Sequence, residues 1–463
     1  MTGSSYFFCG IGGSGMLPLA CILRATGASV SGSDRSLDAG RLAPKFDFLA
    51  RQGIALFPQD GSGLSGGMTL VTSAAVEETI PDVVRARALG LPHLGRPQLL
   101  SQLLNAAARS VAVGGTSGKS TVTGMIGWIL HALGQRPTVM NGAVMKNFVS
   151  DEAPFASALV GDPDLFVSEV DESDGSIALY RPSVALLNNV SLDHKEMDEL
   201  RSLFGGFLGA AGTAVVNLDD DETRTIAAGL PHATGYGFQS NDAEVRGLDL
   251  QLTSAGSHFR VATGPSEVEV RLPQPGRHNA LNALGALAAV QALGIDLAAA
   301  ANALSGFQGL KRRLETAGEA AGVTVIDDFA HNPDKIAATL ATLGAREGRL
   351  LLFFQPHGYG PLAKMGEELA ATFAAGMRPD DLLLLSDPVY QGGTVDRSRG
   401  SDWLASAVQQ AGGSAEHLPE RPAIAERLLA EARSGDTIAV LGARDDTLAE
   451  FAGELVRNLG ARG

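Results

Sequence analysis

The stretch VAVGGTSGKSTVTGM, residues 111–125, constrains the fold more than any other part of the chain. A short apolar run stops at paired glycines, and a helical pattern starts directly behind them. A helix that follows a strand this way carries the chain back, so the next strand can lie parallel to the first. The same order recurs in YFFCGIGGSGM, residues 6–16. The β-rich runs ASVSGSD and TLVTSAA follow, separated by Ala/Leu-rich helical stretches. This alternation predicts an α/β fold built from βαβ units and parallel sheets.

At 463 residues the chain has room for about three domains of ~150 residues each. The first block spans 1–106 and the second 107–315, with buried-strand candidates in SVAVGG, LFVSEVD, VALLNNV and TAVVNLD. Residues 243–263 alternate at period two around Ser-Ala-Gly, which predicts an antiparallel excursion from the parallel sheet. NALNALGALAAVQALG, 279–294, reads as a helix ending at glycine. The third block, 316–463, carries the strand candidates TVIDDFA, RLLLFFQ, DLLLLSD and TIAVLG.

Composition narrows the partners. Lys+Arg 36 against Asp+Glu 51 gives a net charge of −15, which argues against nucleic acid or an anionic membrane surface as a partner. Anionic substrates then need local basic groups or backbone N–H donors. Cys9 and Cys21 are too few for a disulfide framework or a Cys-rich zinc site and fit a reducing cytosol. No basic leader followed by an apolar core begins the chain, and no apolar run approaches ~18 residues, so a cytoplasmic location is expected.

Gly10-Ile11-Gly12-Gly13-Ser14-Gly15 fits G-x-G-x-x-G between a strand and a helix. Such glycines let backbone N–H groups approach a diphosphate at a helix N-terminus. Asp34 ends the next strand, where an acidic residue can bond a ribose. The turn by itself specifies a diphosphate or phosphate, and suits a uridine diphosphate as well as a nicotinamide dinucleotide.

The second turn is shorter than a strict Walker A motif, because Val113 stands where the first glycine belongs. It reads Gly115-Thr116-Ser117-Gly118-Lys119-Ser120-Thr121. The phosphate chemistry survives: backbone N–H groups cradle oxygens, Lys119 supplies a compact charge, and Ser120 can ligate Mg²⁺. FVSEVDESDGS places Glu169, Asp171, Glu172 and Asp174 at the end of another buried strand, where a carboxylate can hold Mg²⁺. Asp174 serves equally well as a solvated loop cap. Asp193-His194 follow a further strand at the edge where ligands gather in such sheets. Both segments point to a Mg-nucleotide centre.

Six motifs in fixed order then resemble one family. GTSGKST, EVDESD, NVSLDH, GRHNALN (276–282), GLKRR (309–313) and DDFAHNP (327–333) are similar to the motifs of Mur ligases, in particular the branch joining UDP-N-acetylmuramate to L-alanine. GIGGSGM, SGSD, TSAAVEETIPDVVRARALGLP and FQPH extend the resemblance over nearly the whole chain. It implies an ATP-dependent amide ligase of peptidoglycan precursor synthesis, with a Rossmann-like first domain, a P-loop central domain and a Rossmann-like third. Gly12, Gly13, Ser14, Gly15, Asp34 and Ser73 would then serve the UDP-sugar, settling the first turn against nicotinamide. Gly115, Thr116, Gly118, Lys119, Ser120 and Thr121 would grip ATP, Asn279 and Asn282 would read adenine, and Arg313 and Asp328 would reach the γ-phosphate and ribose. Lys119, Glu169 and His194 carry the catalytic assignment, and Ser120, Glu169 and His194 the magnesium. His331 and His357 fall to the acceptor.

The departures from the family pattern gather at the acceptor end. Ser117 and Asn332 stand where histidines are usual, and Gly358 and Gly360 follow His357 where the family carries arginines for the alanine carboxylate. Losing a bidentate fork is not a conservative change. Two readings therefore stand: L-alanine as the acceptor, or the same mechanism with a different acceptor, a preformed peptide or other amine, or with a non-peptidoglycan substrate. Arg397 and Arg444 are the candidates for replacement charge. No segment resembles the one that carries a carbamylated lysine in other Mur ligases.

Overall fold

The computed structural model describes residues 3–191, 196–230, 233–389, 396–443 and 445–462. It folds as two compact units, one comprising residues 1–251, 257–273 and 279–309, the other 252–256, 274–278 and 310–463. Among the described residues three sheets of 5, 10 and 6 strands organise them, bearing out the three-domain α/β expectation.

The first sheet holds β1 (Ser5–Cys9), β2 (Ser29–Ser33), β3 (Ala55–Phe57), β4 (Met68–Thr72) and β5 (His93–Gly95) in the order β3-β2-β1-β4-β5. Its pairings are parallel. Phe7, Phe8 and Cys9 are fully buried, as a strand covered by helices on both faces requires. The chain leaves β1 toward β2 on one side and β4 lies on the other. That reversal opens a crevice at the strands' carboxyl ends, directly over residues 10–15.

The second sheet contains β6 (Arg109–Gly114), β7 (Pro137–Met140), β8 (Ala158–Leu159), β9 (Asp162–Glu169), β10 (Val184–Leu187), β11 (Thr213–Asn217), β12 (Ala233–Gly237), β13 (Val245–Thr253), β14 (Gly256–Thr263) and β15 (Ser266–Leu272). Its order is β15-β14-β13-β12-β11-β10-β6-β9-β7-β8. β6 pairs in parallel with β9 and β10, so the tails of all three strands emerge together. The expected antiparallel excursion is present and longer than the sequence pattern showed, because β15 adds an antiparallel strand to β14 through a second turn at Gly264.

The third sheet runs β16 (Glu315–Ala320), β17 (Val323–Asp328), β18 (Leu350–Gln355), β19 (Leu382–Leu385), β20 (Ala415–His417) and β21 (Thr437–Gly442), ordered β16-β17-β21-β18-β19-β20. β16 is an antiparallel edge. Every residue of β18, LLLFFQ, is buried. Helices cover both faces, with separate apolar clusters around Ile336 and Leu340 and around Leu448 and Leu455.

Candidate active site

The second glycine turn joins β6 to the helix Lys119–Ala132. Gly115 and Gly118 have φ 129° and 82°, a backbone region L side chains rarely adopt. A Cβ on Gly115 would come within 3.0 Å of the Asn189 carbonyl oxygen, and one on Gly118 would collide with Asn188 Nδ2 and Asn282 Oδ1. The turn is thus packed against amides, and its conformation suits glycine alone at these two positions.

Those amides form a closed network that sequence reasoning missed. Asn189 accepts the Ser117 N–H at Oδ1 (2.8 Å), accepts the Thr116 N–H at its carbonyl (3.0 Å) and donates Nδ2 to the Ser117 carbonyl (3.0 Å). Asn188 Nδ2 donates to the same carbonyl (2.9 Å) and to Asn282 Oδ1 (2.8 Å). The buried Tyr236 hydroxyl donates to Asn188 Oδ1 at 2.8 Å, and Asn217 Nδ2 to the Asn188 carbonyl at 2.8 Å. Such networks hold one geometry only when every member is satisfied, and the Asn188 amide is. The available signal was the Asn-Asn doublet directly after the four buried residues of β10. Asn282, assigned to adenine by resemblance, stands behind Gly118 with its carbonyl already engaged.

Charge concentrates on the helix side of the turn. Lys119 Nζ donates to the Gly115 carbonyl (2.6 Å) and to Glu172 Oε2 (2.9 Å). Burial alone would pull this ammonium down, but Glu172, Asp171 and Glu169 outweigh it and hold the lysine above its ordinary range, hence charged. Burial pushes Asp171 the other way, and Lys119 reverses it, leaving this carboxyl below its ordinary range. Ser120 Oγ donates to Glu169 Oε2 at 2.7 Å. The Glu169 carboxylate lies so close to Gly142 that a Cβ there would collide with it. Asp174 is exposed and accepts the Ser176 N–H at 2.9 Å, which is the loop-capping role. Asp193 and His194 lie outside the described residues, so the His194 assignment has no geometry. Among the described residues no group of three or more His, Cys, Asp or Glu side chains forms a metal cluster.

The first glycine turn is braced from within. The Gly12 N–H donates to Asp34 Oδ2 at 2.9 Å, and Asp34 Oδ1 also accepts the Ser36 N–H at 2.8 Å. Gly13 N–H closes on the Gly10 carbonyl, before the helix Met16–Ala25 begins beyond Ser14 and Gly15. Asp34, expected at a ribose, as folded orders the turn itself. Lys45, unnoticed in the sequence, donates Nζ to the Gly12 carbonyl at 3.2 Å. Ser73 follows β4, whose Thr72 is in register with Cys9 of β1, so it emerges beside the turn.

In the other unit, Arg313 lies 4.4 Å over the Phe329 ring, a favourable cation–π distance. It is flanked by two left-handed residues, Arg312 at φ 58° and Leu314 at φ 47°. Arg312 anchors this bend by donating to the carbonyls of Gly442 and Asp445, both at 2.8 Å. Asp328 accepts the Leu314 N–H at 3.3 Å and the Thr339 hydroxyl. His331 and His357 leave β17 and β18 and meet edge to face, ring centroids 4.9 Å apart. The Phe329 carbonyl can only accept, so His331 Nδ1, 2.7 Å away, is the protonated nitrogen. Burial, aided by the Lys335 cation, holds this imidazole well below its ordinary pKa, which leaves Nε2 a neutral acceptor. Gly358 sits at φ 150° and caps the helix Tyr359–Gly376, so an arginine at 358 would be strained. Arg397 lies in an exposed segment, and Arg444 lies outside the described residues.

A strand–glycine–helix turn with a caged lysine, a second glycine turn and a histidine pair define an α/β nucleotide-dependent group-transfer protein. Its relatives make this definite. The family models for the Mur ligase family catalytic domain, the Mur ligase middle domain and the Mur ligase glutamate ligase domain match residues 5–108, 113–290 and 312–444. The chain is 35% identical to the UDP-N-acetylmuramate–L-alanine ligase of Streptomyces coelicolor, over 95% of both chains. It is 36% identical to that of Acidothermus cellulolyticus, over 95% of this chain and 92% of the other. The chain belongs to the Mur ligase family. Among solved structures, the UDP-N-acetylmuramate–alanine ligase of Thermotoga maritima shares the fold at a TM-score of 0.80 and 23% identity, covering 99% of this chain and 100% of that one. A murein peptide ligase from Psychrobacter arcticus superposes at 0.69 with 25% identity, over 99% of both chains. No helix among the described residues is long and apolar enough to cross a membrane.

Proposed function

We propose that this protein is an ATP-dependent amide ligase that activates the carboxylate of UDP-N-acetylmuramate and joins it to L-alanine, in cytoplasmic peptidoglycan precursor synthesis. The observation that carries the proposal is the caged Lys119 at the end of β6, with Ser120 and Glu169 beside it. The identity to curated L-alanine ligases along the whole chain supports the choice of substrates. Residues 1–106 are assigned to the UDP-sugar, 107–315 to ATP and 316–463 to the acceptor.

The residues fit a bound nucleotide. Gly115 and Gly118 let the turn close on Asn188, Asn189 and Asn282 where a Cβ would not fit, and the buried Ser117 Oγ has no partner among the described residues. The hydroxyl of Ser120 and the carboxylate of Glu169 are hard oxygen donors suited to Mg²⁺, which takes few protein ligands and keeps phosphate and water. Bound there, the ion would offset charge between two approaching anions.

In the reaction a carboxylate oxygen of the sugar attacks the γ-phosphorus and ADP leaves. The amine nitrogen then attacks the acyl carbon, and phosphate departs with the oxygen that it acquired. Lys119 offsets the charge of the phosphoryl group while the amide-braced turn holds its position. The amine must shed a proton, and His331, whose Nδ1–H is held by the Phe329 carbonyl, presents Nε2 as the acceptor in the third domain.

A second reading keeps the mechanism and changes the amine. It is favoured by Gly358, whose backbone would be strained by an arginine, and by Gly360. ADP release measured with UDP-N-acetylmuramate against a panel of amino acids and short peptides separates the two. The first reading expects L-alanine to give the highest kcat/KM. Stimulation by a peptide with none by alanine overturns it.

A further inference from the structure

Arg96 opens the helix Arg96–Ala106 at the carboxyl end of β5, on the same edge of the first sheet as residues 10–15. Its side chain lies across Gly15. A Cβ on that glycine would collide with Arg96 Nη1 and stand 3.0 Å from its Cδ and 3.2 Å from its Cζ. Gly15 itself has an ordinary φ of −97°, so the backbone does not call for glycine here. The room taken by the guanidinium does.

This cation is partly buried, yet it makes no hydrogen bond or ion pair with any described residue. A guanidinium carries five N–H donors in a planar fork, and buried polar groups are normally paired. Its surroundings add to the positive charge. Gly15 caps the N-terminus of the helix Met16–Ala25, Arg96 stands in the first turn of its own helix, and neither first turn holds an acidic residue. Cations are disfavoured at helix N-termini, so two helix ends and a guanidinium converge where an anion would relieve all three.

The same charge is felt toward the second glycine turn. Burial pushes the Asp171 carboxyl up, and Lys119 and then Arg96 bring it below its ordinary range. Burial also pushes the Tyr180 phenol well up, and Arg96 opposes it. Both residues follow β9, so the guanidinium stands between the first glycine turn and the surroundings of Lys119. A sugar nucleotide with its diphosphate at the first turn must carry its carboxylate along this path, toward Glu169, Asp171 and Glu172. Lys119 is already engaged by Glu172, which leaves the repulsion between these anions to be offset by another cation.

We propose that Arg96 is a substrate-binding residue that holds the carboxylate of the UDP-sugar in place for phosphorylation, one oxygen on the guanidinium and the other free to attack the γ-phosphorus of ATP. The attacking oxygen gains the new O–P bond, ADP leaves with the electron pair of the bond that breaks, and Arg96 keeps its protons throughout. The inference rests on the UDP-N-acetylmuramate reading and locates discrimination within it, because a sugar nucleotide without a carboxylate leaves the guanidinium unpaired.

UDP-N-acetylglucosamine has the same diphosphate and no carboxylate, so it separates the two anions of the substrate. The test is calorimetric titration of the full chain with both sugar nucleotides, with thermal unfolding of the ligand-free protein. Arg96→Ala is expected to weaken UDP-N-acetylmuramate by roughly 10- to 100-fold, the worth of a charge-assisted hydrogen bond, and to leave UDP-N-acetylglucosamine within twofold. Tm should hold or rise, because no protein partner is lost. Arg96→Lys supplies the charge without the fork and is expected to recover part of the affinity. Equal weakening of both ligands would assign the guanidinium to the diphosphate and overturn the proposal. Affinity for UDP-N-acetylmuramate within twofold of wild type in Arg96→Ala overturns it as well. Wild-type protein that binds neither sugar nucleotide overturns the UDP-sugar reading instead.

Discussion

The phosphate end and the acceptor end of this chain are built on opposite plans. The turn after β6 is surrounded by amides and carboxylates that fix each backbone group, and its cation is locked onto Glu172. The acceptor end offers two imidazoles packed edge to face, one kept neutral by burial, against the apolar side chains of Phe354, Pro361, Leu362 and Met365. The difference teaches where each half draws its specificity. A phosphate chain is recognised by fixed charge and oriented dipoles, whereas the charge near the histidine pair comes from Lys335 and Arg313, on the segments around β17. Most departures from the family pattern collect at the second end, and Ser117, in the glycine turn itself, is the exception.

The largest effect expected is at the phosphate end. Lys119→Ala should lower ADP production at least 10³-fold, because no other group replaces its charge. It should also lower Tm, since removing one member of a buried pair leaves Glu172 uncompensated at about 3–5 kcal/mol. The double change Lys119→Ala with Glu172→Gln should recover much of the stability and none of the turnover. Differential scanning calorimetry and an ADP-coupled assay read both, and full activity in either variant would break the comparison.

The acceptor end comes next. His331→Ala is expected to reduce kcat with saturating amine by about 10²-fold and leave KM for ATP unchanged, as loss of a general base requires. A matched rise in KM for ATP would show that the two ends are not separable in this way. Asn188→Ala should have a smaller, mixed effect. It removes donors to Ser117 and Asn282 and strands the buried Tyr236 hydroxyl, so stability should fall by about 2 kcal/mol while KM for ATP rises. Urea unfolding and initial-rate kinetics check both.

The smallest effect is on pH dependence. The folded pKa of His331 is depressed, so below the unfolded value of about 6.5 the unfolded chain binds the proton and the folded chain does not. Stability contributed by the neutral ring is present above pH 6.5 and is lost as pH falls. Asp327 works in the opposite sense: burial raises its carboxyl to about 6, so the folded chain takes up that proton first. The clean measurement is the difference between wild type and His331→Asn, whose unfolding free energies should converge as pH drops from 7 to 5. Parallel curves would place the imidazole in solvent-like surroundings.

Much of this was legible in the sequence for a physical reason. Strands buried on both faces, such as LLLFFQ and VALL, need continuous apolar runs, and turns at left-handed φ need glycine, so VAVGG and FFCGIGG announce themselves. Lys119 and Glu169 were visible because a charge seldom follows a buried strand without a use. The amide clamp was not visible. Asn188, Asn189, Asn217, Tyr236 and Asn282 are scattered over nearly a hundred residues and converge only because β10, β11 and β12 lie side by side next to β6. The bracing of Gly12 by Asp34 was hidden for the same reason: a carboxylate suited to a ribose serves equally well to order a turn, and only distances tell which. The backbone demand at Gly358 was equally silent, because one missing side chain reads only as a lost arginine.

The central claim is that the phosphate end transfers a phosphoryl group to a carboxylate before the amine arrives. It is tested most directly with UDP-N-acetylmuramate labelled with ¹⁸O in both carboxylate oxygens, followed by mass analysis of the released phosphate. The account predicts one ¹⁸O per phosphate at every turnover, with whichever amine proves to be the acceptor. Amide product formed alongside unlabelled phosphate would contradict it.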